Sequence, residues 1–507
     1  MTPGAAQPFD RSTLNKSALP QSVCNKARLA RDARFDGLFF TGVRTTGIFC
    51  RSICPATPSK ETNVTYYATA LGAAQAGLRP CLRCRPEAAP GSPAWRGTET
   101  TLIRAVRMID DGEWGGQSLP QFAERLGVSD RYLRKLFQQH LGTSPKKYVN
   151  FRRALFAKQL LQQTTLAVTE VASIAGFGST RRFNTVFAEL MGLNPRQLRR
   201  SAVKKMSPNL RLERGTLALF LSYRPPYDWA AVREFYRARQ IAGLEVLSDN
   251  SYSRSFSYQG CVGWFTASHR PDKNGFGIEL ALSEPQHTLA VVQQIRRLLD
   301  LDADTKAISR HLAGNAVLAP IVRKGLRLPG MWAAFEAGTR AILGQQVSVK
   351  VAHNMVTRLV NELGVPLNQG DNKSADNRPT ILFPEPAAVA RSKLEFLAMP
   401  DKRRQALRLL ARHVMGDENR QTSVRQTAFE DWLGIPGIGP WTVQYAAFRM
   451  GDPDIFLLGD LGVKNALKKL SPGGLELQSP VSVEDVSPWG SYATLLLWES
   501  LSADPQR

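Results

Sequence analysis

No stretch of this 507-residue chain is apolar for long enough to span a bilayer. Runs such as TLALFL at 216–221 fall far short of the roughly 20 residues a spanning helix needs. The N-terminal MTPGAAQPFDRSTLNK lacks the apolar centre of a signal peptide. A soluble, cytoplasmic protein with no membrane partner is expected. Acidic residues are in deficit: 43 Asp+Glu face 66 Lys+Arg, a net charge of +23. The expected partner is therefore a polyanion, nucleic acid first. Cysteine is also scarce, with six in all: Cys24, Cys50, Cys54, Cys81, Cys84 and Cys261. Four cluster in the first hundred residues, which in a reducing compartment reads as metal or catalytic chemistry and not as a disulfide framework. The six histidines are scattered and form no metal motif. Core-forming residues are not lacking. A 43% hydrophobic and 21% charged composition excludes a disordered polycation, and the length allows three or four domains.

The charge is uneven. Residues 1–95 carry +7, residues 96–206 carry +11 and residues 207–507 only +5. Residues 1–22 are polar and aperiodic, and read as a disordered tail. EAAPGSPAWRG (87–97) is a Pro/Gly-rich linker. Residues 98–200 read as almost pure helix. TLALFLSY (216–223), SYSRSFSYQGCVGWFTASH (251–269) and GFGIELALS (275–283) alternate apolar and polar residues with β-rich composition, which predicts a sheet. TLAVVQQIRRLLDL (288–301) reads as helix, the pattern from 331 onward is helical again, and 366–380 is a polar surface loop.

Within TTGIFCRSIC and GLRPCLRC, Cys50 and Cys54 are four apart, Cys81 and Cys84 three apart, and 27 residues separate the pairs. Four thiolates at such spacing suit one tetrahedral structural Zn²⁺ that helps fold a small domain. The plainer alternative is four free buried cysteines. The stretch from TTGIFCRSIC to NVTYYATALGAAQAGLRPCLRC resembles the N-terminal domain of the Ada adaptive-response family. The resemblance implies that Cys50 accepts a methyl group from a DNA methylphosphotriester. A zinc-bound thiolate can attack an electrophilic methyl. Four thiolates on Zn²⁺ sum to −2, and methylating one leaves −1, so the site repels backbone phosphate less and DNA binding should tighten. A purely architectural zinc is the competing reading.

SLPQFAERLGVSDRYLRKLFQQHLGTSP reads as helix, turn, helix. Ser129 can cap the second helix, whose polar face carries Arg131, Arg134 and Lys135. Some fifty residues on, VTEVASIAGFGSTRRFNTVFAELMGLNP repeats the design, with Ser179 as cap and Arg181 and Arg182 projecting. Leu133, Leu136, Phe137, Phe183, Phe187 and Leu190 fall at core spacing. The pair of units resembles the AraC-type regulator domain, which places two recognition helices in the major groove. Arg at the start of such helices suits guanine or phosphate.

Farther along, PGIG (436–439) between helical patterns reads as a helix–hairpin–helix, where Gly437 and Gly439 let backbone N–H groups approach a phosphate and Thr442 is a further DNA-contact candidate. Asp460 stands at the start of a helix, where the dipole favours negative charge; alone it could equally be an ordinary N-cap. LPGMWAAFEAGTRAILGQQVSV, PGIGPWT and the following Asp resemble the helix–hairpin–helix DNA glycosylases, in particular AlkA-type 3-methyladenine DNA glycosylase II. The resemblance runs from YRPPYDWAAVREFYRAR to SPWGSYATLLLW. It implies that Asp460 stabilises positive charge on the sugar as the N-glycosidic bond breaks and helps water attack. It implies that Phe235, Trp441, Tyr445 and Trp489 form an aromatic pocket for a cationic base, and that Leu328 fills the gap left by the flipped base. Trp441 stands where lyase-type relatives carry a nucleophilic Lys, which implies monofunctional hydrolysis without a Schiff base. No Cys follows Cys261, so the iron–sulfur cluster of some relatives is excluded. The Pro-Cys-His-Arg site of the Ada family's O6-alkylguanine methyltransferase domain is missing.

The fold class expected is multidomain α+β. It comprises a zinc domain (23–90), an all-α double helix–turn–helix (97–203), a sheet-plus-helices glycosylase domain (207–320) and an all-α helix–hairpin–helix domain (321–505). The expected function is an alkylation response joining base excision to a methylation-switched activator, with double-stranded, alkylated and promoter DNA as partners, RNA polymerase as a further one, a monomeric state and a nucleoid location. Zn²⁺ is the only cofactor expected, with none for the glycosylase reaction. The alternative is a transcription regulator with an inactive glycosylase fold.

Overall fold

The computed structural model describes residues 19–32, 35–84, 86, 100–203, 216–367, 378–416, 429, 431–470 and 481–502. Most of the expected tail, the linker at 87–97, the 207–215 stretch and most of the 366–380 loop lie outside them. The architecture is multidomain α+β, and the chain divides near residue 211 into two compact units. No helix among the described residues is long and apolar enough to cross a membrane.

The first unit opens with helix Gln21–Leu29 and a four-stranded sheet. Its strands are β1 (Phe40–Val43), β2 (Ile48–Arg51), β3 (Val64–Tyr67) and β4 (Arg79–Pro80), in the order β3-β1-β2-β4. β1 and β2 form a hairpin with Thr41 opposite Cys50. β4 runs parallel to β2 with Pro80 opposite Phe49. That register sets Cys81 beside Cys50, although 31 residues separate them in the chain. Phe39 and Phe49 are buried in this small core.

The rest of the unit is helical. Helix Leu119–Arg125 turns at Gly127 (φ 70°) into helix Asp130–Leu141. The long helix Pro145–Gln163 follows. Helix Val168–Ile174 then turns at Gly176 (φ 80°) into helix Thr180–Met191. Ser129 and Ser179 cap the second helix of each unit, each accepting a backbone N–H at 3.2 Å. Such a cap contributes about 1 kcal/mol. Leu133, Phe137, Phe183 and Phe187 are fully buried, whereas Leu136 and Leu190 are only half-buried.

The second unit contains β5 (Thr216–Ser222), β6 (Glu245–Leu247), β7 (Ser251–Tyr258), β8 (Cys261–Arg270) and β9 (Gly275–Leu282). They form an antiparallel sheet in the order β5-β9-β8-β7-β6. Helix Thr288–Leu298 follows the sheet. One hydrophobic core runs from Ile241 to Leu497. A buried ion network ties the sheet to helix Ala334–Gly344: Arg254 pairs with Glu245 (2.8 Å) and Glu336, and Arg340 pairs with Glu336 (2.9 Å). Behind it, a short turn at Asp431–Gly434 leads through Gly437 (φ 90°) into helix Pro440–Arg449. Helices Leu461–Leu470 and Gly490–Ser502 complete the site region.

Candidate functional site

Asp460 is the N-cap of helix Leu461–Leu470: its Oδ1 accepts the backbone N–H of Val463 at 3.1 Å. It is more than a cap. The indole N–H of Trp498 donates to Oδ1 at 2.8 Å, and that of Trp441 donates to Oδ2 at 3.0 Å. Three donors thus converge on one half-buried carboxylate, which makes no ion pair with any described residue. Its charge is oriented but not neutralised. Tyr445 stacks on Trp441 (5.2 Å between centroids, 22° between planes) and lies 6.4 Å from Trp498. The carboxylate therefore sits at the edge of an aromatic wall. Gly462 leaves room beside it, since a Cβ there would crowd Asp460 Oδ1 at 3.0 Å and Trp498 Cδ1 at 3.1 Å. Asp454, the nearest rival in sequence, has another task. It accepts the Ser487 hydroxyl (2.7 Å) and the Gly490 N–H (3.2 Å) where the last helix begins.

Three of the expected positions, Trp489, Leu328 and Thr442, are placed differently. Trp489 lies against Tyr492, 5.9 Å away, and is not among the partners of Asp460; Trp498 occupies that place. Phe235 stays beside the wall: Arg449 lies 4.9 Å from its centroid and donates to the Tyr445 hydroxyl at 3.1 Å, and Arg239 lies 3.8 Å from the Phe235 centroid. Leu328 is 3% exposed and belongs to the core, and its N–H donates to Asp300 at 2.9 Å. A side chain with so little free surface cannot wedge into a duplex. Thr442 is 2% exposed, and its hydroxyl accepts the Gln345 amide at 3.0 Å, so it faces the protein and not DNA. Trp498, Gly462 and Gln345 were not singled out from the sequence. Trp498 does close the SPWGSYATLLLW segment already noted, and that was the available signal.

The hairpin glycines keep their expected geometry. Gly437 is exposed with φ 90°, and Gly439 caps helix Pro440–Arg449 with nothing within 4 Å of an added Cβ. Neither donates its backbone N–H to a described residue. Gln345 also donates to the Gly437 carbonyl at 3.1 Å, which anchors the neighbouring loop to the hairpin. The next residue, Gln346, is exposed in the left-handed region (φ 55°).

In the first unit the four Sγ atoms of Cys50, Cys54, Cys81 and Cys84 lie within 4.8 Å of one another, and Cys54 and Cys81 are 3.9 Å apart. A tetrahedron with Zn–S of about 2.3 Å has edges of about 3.8 Å, so the donor set fits Zn²⁺. Cys84 Sγ accepts the backbone N–H of Arg51 at 3.4 Å. Cys81 and Cys84 are buried, whereas Cys50 is partly exposed. Arg131, Arg134, Arg181 and Arg182 are all exposed on the second helices of their units, and Arg134 pairs with Asp130 at 3.3 Å. Cys24 and Cys261 are fully buried.

Comparison with known proteins agrees with this division. Residues 23–87 match the metal binding domain of Ada, 122–201 a helix-turn-helix domain and 218–333 the AlkA N-terminal domain. The chain is 32% identical over 291 residues to DNA-3-methyladenine glycosylase 2 of Escherichia coli, covering 55% of this chain and 95% of that protein. It is 33% identical over 171 residues to the bifunctional transcriptional activator/DNA repair enzyme Ada of the same organism, covering 34% and 47%. A third relative, the probable bifunctional transcriptional activator/DNA repair enzyme AlkA of Mycobacterium tuberculosis, is 34% identical over 488 residues. Because that match takes in 94% of this chain and 96% of the relative, the chain belongs to the family of AlkA-type bifunctional transcriptional activator/DNA repair proteins.

Proposed function

We propose that the second unit hydrolyses the N-glycosidic bond of alkylated purines, 3-methyladenine among them, after flipping the base out of double-stranded DNA. The observation that carries this reading is Asp460: a carboxylate oriented by two indole N–H groups, without a counter-cation, beside a stacked Trp441–Tyr445 pair. An alkylated purine is cationic and is attracted to electron-rich rings. As the bond from C1′ to the base nitrogen breaks, its electrons neutralise the base and the sugar takes up the positive charge. Asp460 faces that charge across a short gap. Water then adds to C1′ and releases a proton. Gly437 and Gly439 offer free N–H groups to a backbone phosphate. Gln346 takes the gap-filling role first expected of Leu328, because it is exposed and its loop is anchored to the hairpin. Monofunctional chemistry follows from Trp441 standing where a lyase needs Lys.

For the first unit, the reading is that Cys50 accepts a methyl group from a DNA methylphosphotriester. Its sulfur bonds the methyl carbon, the carbon–oxygen bond breaks, and the phosphate keeps the electron pair as a diester. Cys50 is partly exposed, so a methyl group on the DNA backbone can reach its sulfur, whereas Cys81 and Cys84 are buried. Zinc, when bound, supplies the charge that keeps the four sulfurs deprotonated. Arg131, Arg134, Arg181 and Arg182 are the proposed contacts to promoter DNA. The finer reading is a cytoplasmic, nucleoid-associated monomer that addresses RNA polymerase, with domains 23–90, 97–203, 207–320 and 321–505. Incubation with methylated DNA tests the enzyme directly. Free 3-methyladenine is expected, and Asp460→Asn should slow its release about 10³-fold, from roughly 4 kcal/mol of charge interaction at about 4 Å and an effective dielectric of about 20. Equal release by the variant would reject the assignment. Radiolabelled methyl should reach wild-type protein and not Cys50→Ala.

A further inference from the structure

Helices Pro386–Arg391 and Asp401–Gly416 border an open surface cleft of about 430 Å³ that has no part in the chemistry above. It is lined by Ala387, Ala390, Arg391, Arg408, Arg412 and Met415. All of its charged lining groups are guanidiniums, and none of the three forms an ion pair with a described residue. The Nε of Arg408 is buried without a hydrogen-bond partner. Arg408 and Arg412 are one turn apart, where like charges repel. Helix Asp401–Gly416 carries five Lys/Arg against one acidic residue. Arg404 pairs with Asp401 at 3.3 Å, whereas Arg391, Arg408 and Arg412 have no acidic partner among the described residues, in the least basic part of the chain. An unpaired buried donor and stacked like charges both disfavour the empty cleft, and a bound anion relieves both.

The cleft is distinct from the hairpin. A Cβ on Gly437 would stand 2.9 Å from Ala406 Cβ, so the Ala406 side of the helix carries the hairpin. At 100° per residue, Arg408, Arg412 and Met415 lie roughly 180–240° around from Ala406. We propose that this cleft is a phosphate-ester site in which Arg391, Arg408 and Arg412 grip the phosphate oxygens over a floor of Ala387, Ala390 and Met415. Guanidinium forks match phosphate oxygens in pairs, and the apolar floor suits the flat face of a sugar or base. The phosphate ester comes either from the backbone of a DNA segment beyond the one at the hairpin or from a free phosphorylated small molecule, for which the volume suffices.

The test compares the full chain with the double variant Arg408→Gln, Arg412→Gln and with the single variant Arg412→Glu. Arg412 is exposed, so reversing its charge leaves the core intact. Affinity for undamaged duplex is measured across a salt series, and inorganic pyrophosphate is titrated by calorimetry. If the source is backbone, the double variant lowers the slope of log affinity against log salt by about 2, near 0.9 per lost contact. If the source is a small molecule, that slope stays, and pyrophosphate binds wild type at least about tenfold more tightly than either variant. Should the double variant fail to fold, Arg412→Glu alone decides on the same two readouts. Unchanged duplex slopes, together with no difference in pyrophosphate binding, overturn the proposal.

Discussion

Replacing Trp498 with Phe keeps a flat ring against Tyr445 and Phe448 but removes the N–H that reaches Asp460 at 2.8 Å. A hydrogen bond to an ionised acceptor contributes about 1.5–3 kcal/mol. Trp441 and Val463 would remain, each tied to one oxygen, so the carboxylate would keep its place but lose part of its orientation. The expected effect is a fall of about 10- to 100-fold in the rate constant for releasing 3-methyladenine from methylated duplex. Single-turnover conditions with saturating enzyme remove binding from the measurement, and a thermal melt confirms folding. Trp489→Phe is the matched control. Its ring lies against Tyr492 and makes no hydrogen bond to Asp460, so the rate constant should stay within about twofold. If Trp489→Phe slowed release as much as Trp498→Phe, the pocket wall would be wrongly assigned. If neither changed it, orientation of Asp460 by indole would not matter to the chemistry.

Three further outcomes are expected. Glu336→Gln leaves Arg254 and Arg340 short of a buried partner and should cost about 3 kcal/mol in urea unfolding, the scale for breaking one side of a buried pair. Asp300 has its carboxyl raised to about 6, chiefly by burial, although Arg327 opposes the shift. Its folded form holds a proton that the unfolded chain releases near pH 4, so stability falls as pH rises from about 4 to 6, by no more than about 3 kcal/mol. Asp300→Asn should remove that pH dependence and be the more stable protein at pH 7.5; unfolding curves at pH 4.5 and 7.5 that move in parallel for both proteins would contradict this. A strong chelator should release zinc and abolish hydrogen-exchange protection in β1–β4, since structural zinc contributes about 10–16 kcal/mol to such folds, while base release by the second unit continues.

Local chemistry was the most legible layer of the sequence. Ser129 and Ser179 act within three residues of themselves, so a cap followed by an amphipathic helix could be read directly. The zinc ligands were legible by residue type and spacing, but what gathers them was not. Pairing of β4 with β2 is a contact between distant segments, and nothing in GLRPC indicates that Pro80 stands opposite Phe49. The order of the five-stranded sheet was hidden for the same reason. Thr442 and Leu328 look like surface positions in their own segments; Gln345 and Asp300, which turn them inward, come from other elements.

The choice between two tryptophans nine residues apart shows where reading by segment stops. Trp489 precedes helix Gly490–Ser502, whereas Trp498 lies on it, and the rotation of that helix decides which ring meets Asp460. Two small polar residues fix the rotation. Ser491 accepts the N–H of Ile455 at 3.0 Å, and Thr494 accepts that of Leu457 at 3.1 Å. Positions 491, 494 and 498 are spaced i, i+3 and i+7, which is one face of a helix. Latching the first two to the 455–457 strip leaves the third over Asp460, three residues beyond it. The apolar pattern of YATLLLW could not reveal this, because that helix is buried nearly all round and its hydrophobic residues mark no preferred side. Its buried hydroxyls do mark one: where an otherwise apolar helix carries Ser and Thr at helical spacing, the face they share points to the backbone they must satisfy, and here that face leads to the carboxylate.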